Sequence, residues 1–120
     1  MSRKTEKMNT QTLAPPGVVP VVDFKSDVLE SRQPVLVEFR APWSRPCKVL
    51  DAVLQELAVD WAGKVKVVTV NADDSLDLSL WYDIQSVPTL LCFVEGKLRS
   101  RIVGTASKEA LVAKLQPFLG

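Results

Sequence analysis

Histidine is absent from the chain. That absence excludes imidazole metal ligands and every Ser–His or Cys–His catalytic pair. Cysteine occurs only twice, at Cys47 and Cys92. Two cysteines cannot form the disulfide scaffold of a chain of 120 residues. Without histidine they do not make a zinc site either, so no metal and no cofactor is expected. Sparse cysteine fits a reducing, cytoplasmic setting. Net charge is low, +1 by formal count, and no basic stripe runs through the body. Binding to nucleic acid or to a membrane surface by charge is therefore not expected. No apolar run is long enough to span a bilayer. The basic N-terminus is not followed by the apolar stretch of a secretory signal.

What the chain does have is 47% hydrophobic residues in 120, enough for one domain with a buried core. Residues 1–20 are polar and then proline-rich at Ala14-Pro15-Pro16-Gly17, and they read as a flexible arm. In that arm Arg3, Lys4 and Lys7 stand against Glu6 alone, which leaves the remainder close to neutral. The domain is expected over 21–120.

From Val21 the pattern becomes regular. Val21-Val22-Asp23-Phe24 reads as a short strand, and Ser26 as the cap of a brief helix to about Ser31. Val35-Leu36-Val37-Glu38-Phe39 reads as a buried strand. After Cys47, the spacing of Leu50, Val53, Leu54, Leu57, Ala58 and Trp61 marks one helix face, and Gly63 stops that helix. Val65 to Val70 is a second central strand. Asp73 or Asp74 can cap a short helix over Leu76 to Tyr82, although the alternation of Leu76, Leu78 and Leu80 suits a strand equally. Thr89 to Val94 and Lys97 to Val103 form a hairpin around Glu95-Gly96, and Ser107 caps a last helix in which Leu111 and Leu115 face inward. The order β-α-β-α-β-α-β-β-α makes an α/β domain. It implies a central mixed sheet of about five strands with about four flanking helices.

The stretch Trp43-Ser44-Arg45-Pro46-Cys47 resembles the Trp-Cys-Gly-Pro-Cys redox site of the thioredoxin family, with serine at the first cysteine position. Val87-Pro88-Thr89 resembles that family's cis-proline loop, and Val103-Gly104 the glycine that completes its substrate groove. The resemblance runs over roughly residues 21–119, and several spaced motifs agree in order. It implies the thioredoxin fold and a groove that accepts an extended segment of a partner protein. It also implies a cis Val87–Pro88 bond, which leaves Val87 backbone groups free to pair with a partner strand.

Within that frame each residue has a reading. Ser44 holds the place of the exposed nucleophile. A serine hydroxyl stays protonated and forms no stable mixed disulfide, so Ser44 is expected to act as a helix N-cap, with Pro46 in the first turn. Cys47 matches the resolving cysteine. It is either an inert buried thiol or a lone nucleophile helped by the helix terminus. Glu38 stands where the family has a buried acid that relays a proton. The alternative is an exposed strand end. Thr69 occupies the position of the family's nearby lysine, so Glu38 is expected to lack a countercharge. Arg45 replaces glycine and either steers acidic partners or is a solvated surface charge. Trp43, Val87, Pro88 and Gly104 are expected to line the groove, with simple packing as the other reading of Trp43. Trp61, Trp81 and Cys92 read as core, and a Cys47–Cys92 disulfide is not expected.

The resulting expectation is a thioredoxin-like monomer that binds protein or peptide segments, cysteine-containing ones included, without dithiol turnover. One alternative is a protein-disulfide reductase whose first cysteine was changed to serine. Another is a one-cysteine thiol protein that works through Cys47. Thioredoxin reductase or glutathione would be partners only of a redox-active form.

Overall fold

The computed structural model describes residues 17–119. Five strands form one mixed sheet: β1 (Val19–Pro20), β2 (Val35–Arg40), β3 (Lys66–Asn71), β4 (Thr89–Val94) and β5 (Lys97–Val103). The sheet order is β1-β3-β2-β4-β5. β1 and β2 flank β3 in parallel, while β4 runs antiparallel to both β2 and β5. Four helical segments connect them: the π-helical turn α1 (Lys25–Leu29), α2 (Arg45–Asp60), α3 (Leu76–Trp81) and α4 (Lys108–Leu119). No helix among the described residues is long and apolar enough to cross a membrane.

Successive side chains of a strand point to opposite faces, and the two central strands are covered on both. Val35, Val37 and Phe39 join Val28, Leu91 and Phe93 in one cluster. Leu36 joins Leu50, Leu54, Leu57, Leu111 and Leu115 of α2 and α4 in the other. This double burial is why β2 and β4 read as nearly unbroken apolar runs. Glu38 is the exception: it shares the α2 face with Leu36 and is fully buried. Phe24, Phe39, Tyr82 and Phe93 pack edge-on or tilted on the opposite face.

Local signals in the sequence account for several boundaries. Ser107 Oγ accepts the Ala110 N–H at 3.1 Å and starts α4. Glu95 and Gly96 take φ of 53° and 80°, the paired positive values of a tight hairpin turn. A Cβ on Gly96 would meet the Leu29 carbonyl oxygen at 2.7 Å, so glycine is required there. β5 follows along the open edge, carrying Lys97, Arg99 and Arg101 at alternate positions.

Four expectations need correction. The first strand is Val19–Pro20, not Val21–Phe24. Val21 N–H still bonds Thr69 O at 2.8 Å, but the Asp27 carboxylate takes the next two amides, Val22 and Asp23, and pulls the chain off the edge. Residues 17–20 thus lead into and form the edge strand, and the rest of the expected arm lies outside the described residues. Ser26 does not cap α1. Asp23 Oδ1 accepts from Lys25 N–H, while Ser26 Oγ donates back to Asp23 O. Neither Asp73 nor Asp74 caps α3, whose N-cap is Ser75. Trp81 is 80% exposed rather than core, whereas Trp61 does pack against the α2–α4 cluster.

Candidate functional site

β2 ends at Arg40, and the chain turns directly into α2. Ser44 is the N-cap of that helix: its Oγ accepts the Cys47 N–H at 3.3 Å, and Pro46 sits in the first turn, where it needs no N–H partner. The bond places the Ser44 hydroxyl at the mouth of the helix and turns Cys47 inward. Ser44 is 4% exposed and Cys47 0%. Both cysteines are free and buried. Arg45 and Pro46 are exposed on the first turn. Because Ser44 closes a buried amide, Ser44→Ala should cost about 0.5–2 kcal/mol. Urea unfolding of the two proteins measures this, and equal midpoints would mean the cap contributes nothing.

Trp43, one residue before the cap, is 71% exposed. Its indole Nε1–H donates to Asp73 Oδ2 at 2.8 Å, which ties the ring to the turn after β3. Trp43 and Val87 line the same cleft, of about 270 Å³. The Val87–Pro88 peptide is cis. Pro88 O accepts the Gly104 N–H at 2.9 Å, which ties the loop before β4 to the end of β5. Gly104 has φ of 88°, a conformation that suits glycine. Among the described residues, the backbone N–H and C=O of Val87 have no backbone partner outside the sheet and helices.

Behind the helix mouth lies Glu38, directly across from Thr69 in the β2–β3 register. Neither carboxyl oxygen has a hydrogen-bond partner. Burial above all, and then the neighbouring Asp51 carboxylate, push the Glu38 pKa up to about 8, with Arg40 pulling the other way. The acid is therefore mostly protonated at neutral pH. Arg40 Nε stands 3.8 Å from Glu38 Oε1, too far for a hydrogen bond. Its guanidinium is instead engaged by Asp51 in a forked contact, Nη2 to Oδ2 at 2.8 Å and Nε to Oδ1 at 3.4 Å. Burial lowers the Arg40 pKa, but Asp51, Glu38 and the Cys47 thiol together hold it above its ordinary value. Arg40 thus sits within electrostatic reach of both the buried acid and the buried thiol. The expectation that Glu38 lacks a countercharge is corrected: Arg40 supplies one, shared with Asp51.

A thioredoxin family model matches residues 17–117. The chain belongs to the thioredoxin family. Thioredoxin from Griffithsia pacifica is 42% identical over 96 residues, which cover 80% of this chain and 88% of the relative. Thioredoxin from Synechocystis sp. is also 42% identical over 96 residues, covering 80% of this chain and 90% of the relative. The chloroplastic M-type thioredoxin of Brassica napus is 38% identical over 104 residues, covering 84% of this chain and 59% of its own length. The five-stranded mixed sheet with four helical segments is the thioredoxin fold.

Trp43 and Val87 share one cleft, Gly104 is tied to Pro88 by its N–H, and Glu38 is buried within β2. Cys92 lies apart, in β4 opposite Leu36, where burial raises its thiol pKa to about 11. Three residues of the site escaped the reading of the sequence. They are Arg40 and Asp51, 11 positions apart, and Asp73, 30 positions from the Trp43 that it holds. One signal was available: a lone arginine ending an apolar strand needs an acid close by.

Proposed function

We propose that this thioredoxin-family protein holds extended segments of partner proteins, cysteine-containing ones among them, in the groove of Trp43, Val87, Pro88 and Gly104, and does not turn over as a dithiol reductase. One observation carries the reading: the site presents no thiol to solvent. The Ser44 hydroxyl is committed to the Cys47 amide, and Cys47 is 0% exposed. Thiol–disulfide exchange needs an accessible thiolate to attack the disulfide sulfur. The groove, by contrast, keeps its parts. Val87 offers backbone groups for pairing with an extended chain, as peptide recognition by strand addition requires. The burial of Cys47 also weighs against a one-cysteine exchange protein.

One copy of the chain supplies every groove residue, so the proposed binding unit is a monomer. The cyanobacterial and chloroplastic relatives fit a cytoplasmic or plastid setting. Specific redox partners, thioredoxin reductase and glutathione included, have no exposed sulfur to act on at this site.

The test pairs an activity with a binding measurement. Insulin-disulfide reduction with dithiothreitol should proceed no faster with the protein than without it. Reduced insulin B chain should still shift the amide resonances of Val87 and Gly104. Reduction at the rate of an ordinary thioredoxin would sink the proposal.

A further inference from the structure

Two clefts meet at Leu76. One, of about 270 Å³, is walled by Trp43, Leu76, Ile84 and Val87. The other, of about 410 Å³, is walled by Asp73, Asp74, Asp77 and the same Leu76. Asp73 lines both, and its carboxylate accepts the Trp43 indole N–H on the side of the first. Arg45 lines neither. The arrangement follows from how α3 sits. Leu78 packs onto the core cluster, so Leu76 and Leu80, one turn apart on the other side, face outward. They are 66% and 81% exposed. Large apolar side chains grouped on a surface and rimmed by polar groups mark interaction sites. Among the described residues, no lysine or arginine forms an ion pair with Asp73, Asp74 or Asp77.

We infer that Leu76, Leu80 and the flanking aspartates extend the groove into a docking surface for a positively charged, extended segment of another protein. An apolar residue of that segment fills the Trp43–Val87 cleft, and a neighbouring lysine or arginine enters the acidic one. Two arguments select this occupant. The acidic cleft complements positive charge, which steers encounter and fixes register. The apolar cleft also shares Trp43 and Val87 with the groove, so a strand lying there passes Leu76 within a few residues, at roughly 3.3 Å per residue. The inference rests on the peptide-binding reading above and names the chemistry of the partner.

The probes are a short cysteine-free peptide with a central leucine flanked by lysines, and its counterpart with glutamates. Each is titrated into the full chain at low salt, with affinity read by fluorescence anisotropy and location by amide shifts. The lysine peptide should bind at least about tenfold tighter, and the preference should shrink at high salt. Asp74→Asn with Asp77→Asn should abolish the preference. Leu76→Ser should weaken binding of the lysine peptide by about tenfold. Leu98→Ser, on β5, should leave it unchanged. Equal affinity for both peptides, with shifts confined to Val87 and Gly104, overturns the docking surface and leaves the groove reading standing. No shifts with either peptide overturn the groove reading and this inference with it. If Arg3→Gln, Lys4→Gln and Lys7→Gln together tighten binding of the lysine peptide, the chain's own N-terminal segment is the occupant and the external partner falls.

Discussion

Ser44→Cys should raise the rate of insulin-disulfide reduction on the order of 100-fold or more above that of the parent protein. The substitution exchanges one atom at the N-cap of α2. The new sulfur would stand where the helix N-terminus stabilises a thiolate, three residues before the Cys47 amide. That thiolate attacks a substrate disulfide, forming a mixed disulfide and expelling one substrate thiolate. Cys47, buried in the first turn of the same helix, then attacks the mixed disulfide, forming a disulfide with the introduced cysteine and expelling the second substrate sulfur. The Cys47 proton goes to the departing substrate sulfur, since Glu38, with a pKa of about 8, mostly keeps its own proton at neutral pH. Dithiothreitol supplies the two electrons that regenerate the dithiol. Activity in the variant alone would show that one position silences a competent scaffold. An inactive, folded variant would mean that Arg45 and the Arg40–Asp51 pair have taken the site further from reductase chemistry than Ser44 has.

Stability should fall as pH rises through neutrality, and Glu38→Gln should remove that fall. The ordinary carboxyl value is 4.5, and the folded value for Glu38 is about 8. Below about 4.5 both folded and unfolded chains keep the proton, so the contribution of neutral Glu38 to stability is fully present. Between about 4.5 and about 8 the unfolded chain has released the proton while the folded chain retains it. Each pH unit in that window then costs the folded state up to about 1.4 kcal/mol. Above about 8 both states are ionised, and the loss levels off after a total of up to about 5 kcal/mol. Glutamine keeps the shape and cannot titrate, so the variant should gain on the parent as pH increases. Urea unfolding of both proteins near pH 5, 7 and 9 measures the difference. Parallel curves would mean that water or a local opening relieves the buried acid.

The architecture was largely legible because its determinants are local. The unbroken run Val35 to Phe39 marks a strand covered on both faces, and Ser44, Ser107 and Glu95-Gly96 each place a boundary through chemistry within a few residues. The alternation of Leu76, Leu78 and Leu80 was ambiguous for a physical reason. A short helix that buries only its middle leucine produces the same alternation as a strand. Ser26, Asp73 and Asp74 misled because cap-forming side chains have other uses. Asp27 reaches back to two amides, and Asp73 is taken by an indole. In the site, Ser44, Cys47 and Glu38 were visible because motif and burial cost both point to them. The Arg40–Asp51 fork was not, since it joins a strand end to a helix face through tertiary contact alone.

β5 has a bearing on how copies of this molecule meet. A sheet edge is a ready template for a second strand, and an unguarded one invites chains to join into filaments. Here Lys97, Arg99 and Arg101 recur along that edge. Two copies laid strand to strand along β5 would bring positive charge near positive charge at these three positions. Charge along β5 thus disfavours extension of the sheet by a second copy at this rim.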